Sequence, residues 1–160
     1  MQKHTFETEL EVYESVSELP IPIQELMNKA HKARKKAYAP YSQFNVGAAI
    51  LLENGKIIQG NNQENAAFPS GLCAERVAAF YAGAKYPKIA FKAMAISAGS
   101  SKTINENPIP PCGACRQSLA EYEVNQESSI QIYFMGETGK VVKASSVKSL
   151  LPLIFDSSYL

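Results

Sequence analysis

The feature that most constrains the fold is an apolar hairpin pattern at residues 45–60, N-V-G-A-A-I-L-L-E-N-G-K-I-I-Q-G. Two apolar runs flank Asn54-Gly55, a dipeptide typical of the tight hairpin turn in which both central residues have positive φ. The pattern therefore predicts two antiparallel strands. Because an isolated hairpin cannot bury its apolar faces, other elements of the chain must cover it.

The remainder of the chain alternates between helical and strand periodicity. Alternating apolar and acidic side chains at residues 5–13 predict an extra edge strand. A Gly/Ser/Asn/Pro-rich stretch at 99–111 predicts a loop. This order of elements predicts an α/β protein, a three-layer α/β/α sandwich with one sheet between helices. Helices are predicted at 23–38, 73–84, 113–122 and 147–151, and short strands at 93–98, 130–134 and 141–144.

Composition excludes several classes of function. At 160 residues the chain fits one domain, and its apolar runs are too short to cross a bilayer. The N-terminus lacks the apolar segment of a secretory signal, which predicts a cytoplasmic protein. A net charge of +1 gives no field to attract nucleic acid. The one basic run, K-A-R-K-K at 32–36, is predicted to end the first helix and to face water.

All three cysteines lie in two short motifs, G-L-C-A-E-R at 71–76 and P-C-G-A-C-R-Q at 111–117. In a reducing compartment this favours metal binding or catalysis over disulfides. A C-x-x-C pair alone fits a redox dithiol, a structural zinc site or a catalytic zinc site. A closed structural zinc site needs four ligands. The chain has three cysteines, Cys73, Cys112 and Cys115, and its two histidines lie outside both motifs. The pattern favours catalytic zinc with an open fourth position.

Glu75 and Arg76 follow Cys73 directly in the predicted helix. Three thiolates on a divalent zinc leave one net negative charge, which helix N-termini and Arg76 are predicted to offset. Glu75 is predicted to reach the open side of the metal and to move a proton between water and substrate. For an isolated glutamate, a simple role at the positive end of the helix dipole remains the alternative.

C-A-E followed by P-C-x-x-C resembles the zinc-dependent cytidine deaminases, whose described chemistry includes a three-cysteine variant and an acid/base glutamate. The similarity runs from about residue 27 to 155. It includes Y-A-P-Y-S-Q-F-N-V-G-A-A at 38–49, N-Q-E-N-A at 62–66, C-G-A-C-R-Q at 112–117, and L-L-P followed by Phe155. Four motifs in the family's order make the resemblance specific.

The resemblance implies a domain plan and an assembly. It implies a mixed five-stranded sheet in a single domain at 23–160, because residues 1–22 have no clear counterpart in the family. It also implies a homotetramer with shared active sites, in which Phe155 of one subunit covers the nucleoside bound by another. A core phenylalanine is the alternative for Phe155. The sequence departs from the family at Phe68, where tyrosine is often found.

The resemblance further implies hydrolytic deamination of cytidine and 2′-deoxycytidine to uridine and 2′-deoxyuridine, with one Zn²⁺ per chain. Its implied residue roles fall into four groups. The ligands are Cys73, Cys112 and Cys115; the proton shuttle is Glu75; the substrate contacts are Phe44, Asn62, Glu64, the backbone of Ala74, and Phe155; the groups that support the thiolates are Arg76 and Gln117.

Four alternatives to this activity stay open. A deaminase of another aminonucleoside, of the blasticidin-S type, shares the zinc motifs, but N-Q-E at 62–64 offers the amide and carboxylate that a ribose needs. A nucleic-acid-editing deaminase is disfavoured because the chain lacks a basic channel. A C-x-x-C redox protein and a zinc-stabilised binding module are the more remote alternatives.

Overall fold

The computed structural model describes residues 1–126 and 128–160. Within these residues the strands form one six-stranded sheet in the order β1-β6-β5-β4-β2-β3. Neighbouring strands are antiparallel except β4 and β5, which are parallel. The elements are β1 Leu10–Tyr13, α1 Ile21–Arg34, β2 Phe44–Leu52, β3 Ile57–Asn61, α2 Ala74–Lys85, β4 Phe91–Ser100, α3 Gly113–Gln126, β5 Gln131–Met135, β6 Val141–Ala144 and α4 Val147–Leu150.

Helices cover both faces of the sheet, which confirms the predicted three-layer sandwich. On one face α1 buries an apolar stripe that includes Leu26, Met27 and Ala30. On the other face the alanine- and leucine-rich sides of α2 and α3, among them Ala78 and Leu119, share one buried cluster with apolar residues of β2, β3, β4 and β5, and α2 contacts β2 and β3. The parallel β4–β5 pair requires a crossover connection, and α3 supplies it.

The predicted N-terminal strand is present as β1 and makes six strands where the family resemblance implied five with a possible sixth. It pairs antiparallel with β6, with Leu10 opposite Ala144. Lys143 of β6 donates to Glu11 at 2.7 Å, and Thr8 donates to the Ser149 carbonyl at 2.7 Å. The edge of the sheet is therefore extended by residues that precede α1.

The hairpin is confirmed, but the expectation about its turn is wrong. Of the dipeptide, only Gly55 has positive φ, at 79°. The Gly55 N–H donates to the Leu52 carbonyl, and the Leu52 N–H donates to the Lys56 carbonyl. This is a three-residue loop, in which a single left-handed glycine closes the turn.

The first helix is shorter than predicted and ends at Arg34. Tyr38 leaves the helix because its N–H donates to the Asn62 carbonyl and its carbonyl accepts from the Glu64 N–H. Arg34 was expected to face water, and this is wrong: it is 6% exposed and forms a 2.7 Å ion pair with Glu137.

Gly60 in β3 allows α2 to approach the sheet closely. A Cβ at this position would lie 2.5 Å from the Ala74 carbonyl oxygen and 2.5 Å from the Ala78 nitrogen. Real Cβ atoms do not tolerate such contacts, so the first turn of α2 rests directly on the backbone of β3. None of the described helices is both long and apolar enough to span a membrane.

Candidate active site

The three cysteine sulfurs come together where α2 and α3 begin. Cys73 is the N-cap residue of α2, Cys112 directly precedes α3, and Cys115 is buried in its first turn. The Sγ atoms of Cys73 and Cys112 are 3.8 Å apart, those of Cys112 and Cys115 are 3.5 Å apart, and all three lie within 4.8 Å of one another. Tetrahedral zinc with bonds of about 2.3 Å places its sulfur ligands about 3.8 Å apart. The cluster therefore fits zinc.

The thiols differ in their tendency to ionise. A hydrogen bond from Cys115 lowers the pKa of Cys73, and the guanidinium of Arg76 assists, with Nη2 3.9 Å from the Cys73 sulfur. The pKa of Cys115 is raised, because it donates to Cys73 and is buried. Because thiolates rather than thiols bind metals, the position of Arg76 favours the metal-binding form of Cys73.

Arg76 has one further property that agrees with this role. Its Nε is buried and has no hydrogen-bond partner among the described residues. A buried N–H donor without a hydrogen bond costs free energy unless nearby negative charge stabilises the guanidinium. The nearby sulfurs supply negative charge when ionised, so the position of the guanidinium agrees with the charge balance expected of a zinc–thiolate centre.

Glu75 lies beside the sulfur cluster, as the second residue of α2. It is 4% exposed, and burial raises the pKa of its carboxyl. The side chain lines the same cavity as Cys73 and Cys112. A raised pKa brings a carboxyl group closer to the range in which it can both accept and release a proton, as acid/base catalysis requires.

A cavity of about 820 Å³ opens between the first turn of α2, the sheet and two loops. Most of its wall is apolar, and its polar groups include those of the sulfur end and those of the partly exposed rim formed by Ser42, Asn62 and Glu64. The residues that line it are Tyr41, Ser42, Phe44, Val46, Asn62, Gln63, Glu64, Asn65, Phe68, Gly71, Leu72, Cys73, Glu75, Arg76, Ile96, Ala98, Ile109, Pro110 and Cys112.

Asn62 fixes the start of β2 at the rim. Its Oδ1 accepts from the Val46 N–H at 2.8 Å, and its Nδ2 donates to the Phe44 carbonyl at 2.9 Å. Phe44 is half-buried and lines the cavity. The amide of Asn62 keeps a second N–H and the outer lone pair of its oxygen, which can bind a polar ligand.

Glu64 is held by the turn that precedes β2. Its carboxylate accepts from the N–H groups of Tyr41 at 2.9 Å and Ser42 at 3.3 Å, and from the Ser42 hydroxyl. The Ser42 hydroxyl bond holds the pKa of Glu64 below its usual range. Ser42 also accepts from the Phe44 N–H at 3.0 Å, so one serine orients two lining residues.

The remaining predicted site residues lie at different distances from the cavity. Ala74 is buried between the lining residues Cys73 and Glu75. Phe155 is 61% exposed, stacks on Tyr159 at 5.7 Å, and does not line the cavity of its own chain.

The Gln117 amide contacts the backbone of Phe155 rather than a sulfur. It donates to the Phe155 carbonyl at 2.7 Å and accepts from the Phe155 N–H at 3.4 Å.

Sequence reasoning missed four lining positions that have clear roles. Tyr41 and Ser42 hold Glu64, while Ile109 and Pro110 close the wall beside Cys112. Tyr41 and Ser42 belong to the same A-P-Y-S turn that was noted as a motif, so their position was available as a signal. Ile109 and Pro110 lie in a loop whose composition gave no indication of function.

Comparison with known proteins identifies the family. A profile described as the cytidine and deoxycytidylate deaminase zinc-binding region matches residues 21–128. The cytidine deaminase of Sporosarcina psychrophila is 41% identical over 140 residues, which cover 86% of this chain and 96% of that protein. The cytidine deaminase of Halalkalibacterium halodurans is 39% identical over 132 residues, covering 82% and 92%. The chain belongs to the cytidine deaminase family.

Solved structures of cytidine deaminases agree with the sheet and its helices. The enzyme from Burkholderia pseudomallei superposes with a TM-score of 0.71 at 39% identity, covering 82% of this chain and 97% of that one. The Mycobacterium tuberculosis enzyme gives a TM-score of 0.66 at 27% identity, covering 86% and 99%. The region that matches the deaminase profile contains Glu75 and all three cysteines. Among the described residues, the three cysteines form the one group that could hold the family's zinc ion.

Proposed function

We propose that this chain catalyses the hydrolytic deamination of cytidine and 2′-deoxycytidine. Water adds at C4 of the pyrimidine, the C4–N bond breaks, and uridine or 2′-deoxyuridine leaves with ammonia. The observation that carries the proposal is the buried Glu75 beside three clustered sulfurs at one end of an apolar cavity. Relatives of similar length named cytidine deaminases support the substrate and disfavour the blasticidin-S alternative.

At the sulfur end, Cys73, Cys112 and Cys115 hold one zinc ion. Bound zinc supplies a Lewis acid that makes a water molecule nucleophilic at neutral pH. Glu75 accepts a proton from the attacking water and delivers it to N3 of the base, where it remains in the product. Glu75 then takes the proton of the hydroxyl added at C4 and delivers it to the departing amino group, which leaves as ammonia. The raised pKa of Glu75 suits both transfers, and its burial keeps bulk water from competing for the proton. Arg76 offsets the charge of the thiolates.

At the rim, Asn62 and Glu64 hold the ribose 3′-hydroxyl. Glu64 is an ionised acceptor that three donors hold in place, and Asn62 can still donate one N–H. Phe44 lies against the base. The Ala74 N–H, in the first turn of α2, has no intrahelical partner and binds the base carbonyl. Hydroxyl recognition by such groups rejects substrates without the hydroxyl.

We infer that the active enzyme is a homotetramer with shared sites, in which Phe155 covers the nucleoside of a neighbouring subunit. Large apolar side chains exposed on α2 and near the C-terminus support this, because monomers rarely leave such groups uncovered in contiguous patches. They are Phe80, Tyr81, Leu153, Phe155 and Tyr159.

Mixing experiments test the shared site. Glu75→Ala and Phe155→Ala chains, each nearly inactive, are unfolded and refolded together with zinc. Activity above the sum of the two parents supports a Phe155 that acts between subunits, because some mixed sites then pair an intact Glu75 with an intact Phe155. Activity that only adds, or a protein that sediments as a monomer, contradicts the shared site.

We infer further that residues 23–160 are the catalytic domain and residues 1–22 an extension of it, and that the enzyme acts in the cytoplasm on free nucleosides. Three free thiols support a reducing compartment. The net charge of +1 supports a small-molecule substrate rather than nucleic acid.

The decisive experiment for the reaction combines an ammonia-release assay with metal analysis on the purified protein. About one zinc per chain and conversion of cytidine and 2′-deoxycytidine are expected. Active protein without zinc or any other metal contradicts the mechanism. Zinc-containing protein that deaminates blasticidin S but neither cytidine nor 2′-deoxycytidine contradicts the substrate.

A further inference from the structure

Arg116 follows the last cysteine in α3 and joins two separate segments of backbone. Its Nε donates to the Pro111 carbonyl at 2.8 Å, and its Nη1 donates to the Leu150 carbonyl at 2.9 Å. Pro111 is fully buried and directly precedes Cys112. A planar guanidinium holds two acceptors at a fixed separation, which a single-point donor cannot do. Arg116 therefore connects the start of the cysteine turn to the end of α4.

The segment after α4, residues 151–160, is the C-terminal arm that carries Phe155. Arg116 binds the carbonyl at its root, and the neighbouring Gln117 binds both backbone groups of Phe155. Two successive side chains of α3 thus hold two successive points of the arm. Their helix is the one whose first turn contains Cys115, so the arm and the cysteine turn are attached to the same element.

Glu123 fixes the other end of α4 to the same helix. Its carboxylate accepts from the N–H groups of Val147 at 2.8 Å and Lys148 at 2.9 Å. Glu123 lies seven residues after Arg116, which places the two side chains on nearly the same side of α3. With both ends of α4 held, the carbonyl of Leu150 is a rigid attachment point for Arg116.

We propose that Arg116 is a positioning residue that sets the C-terminal arm, and with it Phe155, relative to the cysteine turn of its own chain. The inference rests on the proposed function in one respect, the contact of Phe155 with a bound nucleoside. In a tetramer with shared sites, the metal centre of one subunit is mechanically connected through Arg116 to the substrate pocket of its neighbour.

Kinetics provide the first test. In Arg116→Ala both carbonyls lose their donor and the arm is freed, so KM for cytidine should rise on the order of tenfold, with zinc content and kcat changed much less. Arg116→Lys should give an intermediate KM, because an ammonium keeps the charge but reaches only one carbonyl well. Lys92→Ala is the matched control: it removes an exposed cation from β4, and KM should stay at the wild-type value.

A second readout does not depend on activity. The chain has no tryptophan, so Phe155→Trp introduces a single tryptophan on the arm, which is excited at a longer wavelength than the tyrosines. Adding Arg116→Ala to this background should lower the fluorescence anisotropy, since the arm gains mobility, while adding Lys92→Ala should leave it unchanged. This measurement stays informative even if the wild-type protein fails to deaminate cytidine, an outcome that would contradict the proposed function alone.

Three results overturn the proposal. One is unchanged anisotropy in the Arg116→Ala protein. Another is a loss of zinc and kcat with unchanged KM, which would assign Arg116 to the cysteine turn alone. If Arg116→Ala fails to fold, Arg116→Lys decides: anisotropy and KM equal to those of the wild type contradict the positioning role.

Discussion

Glu75 and Glu64 line one cavity, and their surroundings shift the pKa values of the two carboxyl groups in opposite directions. Glu75 is buried against the sulfur cluster, and burial raises its pKa. Glu64 is partly exposed at the rim, and the Ser42 hydroxyl bond lowers its pKa. Glu75 is thus suited to proton transfer, and Glu64 is suited to carrying a fixed negative charge.

The sulfur end and the rim also differ in how they are built. The sulfur end depends on the first turns of two helices packed on the sheet, so its geometry is fixed by the core. The rim depends on hydrogen bonds between loop residues, above all those of Ser42 and Asn62. We therefore expect damage at the sulfur end to abolish chemistry, and damage at the rim to weaken binding in smaller steps.

The largest effect is expected from Cys115→Ala, which breaks the sulfur end and leaves the rim intact. Removing one of the three protein ligands leaves zinc with too few donors, so zinc is lost, the thermal midpoint falls with the loss of metal binding, and activity drops below detection. Metal analysis and calorimetry measure these changes. A variant that retains one zinc per chain would show that the ligand set is wrong.

Glu75→Ala should lower kcat by roughly a hundredfold to ten-thousandfold, the range for a positioned acid/base group. Zinc content and the thermal midpoint should remain near those of the wild type, because the glutamate is not a ligand. Single-turnover kinetics with cytidine measure the chemical step. Retained turnover would remove Glu75 from the mechanism and break the contrast between the two glutamates.

Glu64→Ala should lower kcat/KM for cytidine by roughly ten- to a hundredfold, the value of a hydrogen bond to a charged group. Residual action on free cytosine, which has no ribose, should barely change. The ratio of the two substrates is the measurement, and the wild-type enzyme should strongly prefer cytidine. Equal handling of cytosine and cytidine by the wild type would refute the role of Glu64.

Ser42→Ala should have the smallest effect, a rise of about two- to tenfold in KM for cytidine. The hydroxyl stabilises the Glu64 carboxylate, so its loss raises the pKa of Glu64, and binding fails at a higher pH as the solution is acidified. A pH profile of KM measures this shift. Ser101→Ala, which removes another exposed loop serine outside the cavity lining, is the control and should show neither change.

Sequence periodicity predicted the sheet, its helices and the extra edge strand, because these depend on local patterns of apolar residues. It failed where contacts distant in sequence decide the outcome. Arg34 is buried because Glu137, 103 residues away, neutralises it. Helix α1 ends before Tyr38 because residues of the N-Q-E loop bind that backbone. Neither partner can be identified from the neighbouring sequence.

The candidate site shows the same difference between features that short motifs predict and features that depend on contacts distant in sequence. C-A-E and P-C-x-x-C predicted the sulfur cluster that the structure contains, because its residues lie in two short motifs. The role of Glu75 as the acid/base group stays a prediction. The assignments of Phe44, Asn62 and Glu64 stay predictions, although the structure brings all three to one cavity. The contact of Gln117 with Phe155 joins two motifs across 38 residues, which no motif describes.

The close packing of α2 on Gly60 means that a residue outside the cavity lining determines the position of Cys73. A side chain at this strand position would lift the first turn of α2, and Cys73 would move with it away from the sulfurs of Cys112 and Cys115. The spacing of the ligands is thus set by the thickness of the contact between a helix and a strand. In a mutational scan selected for zinc retention, Gly60 should prove as intolerant of substitution as the cysteines themselves.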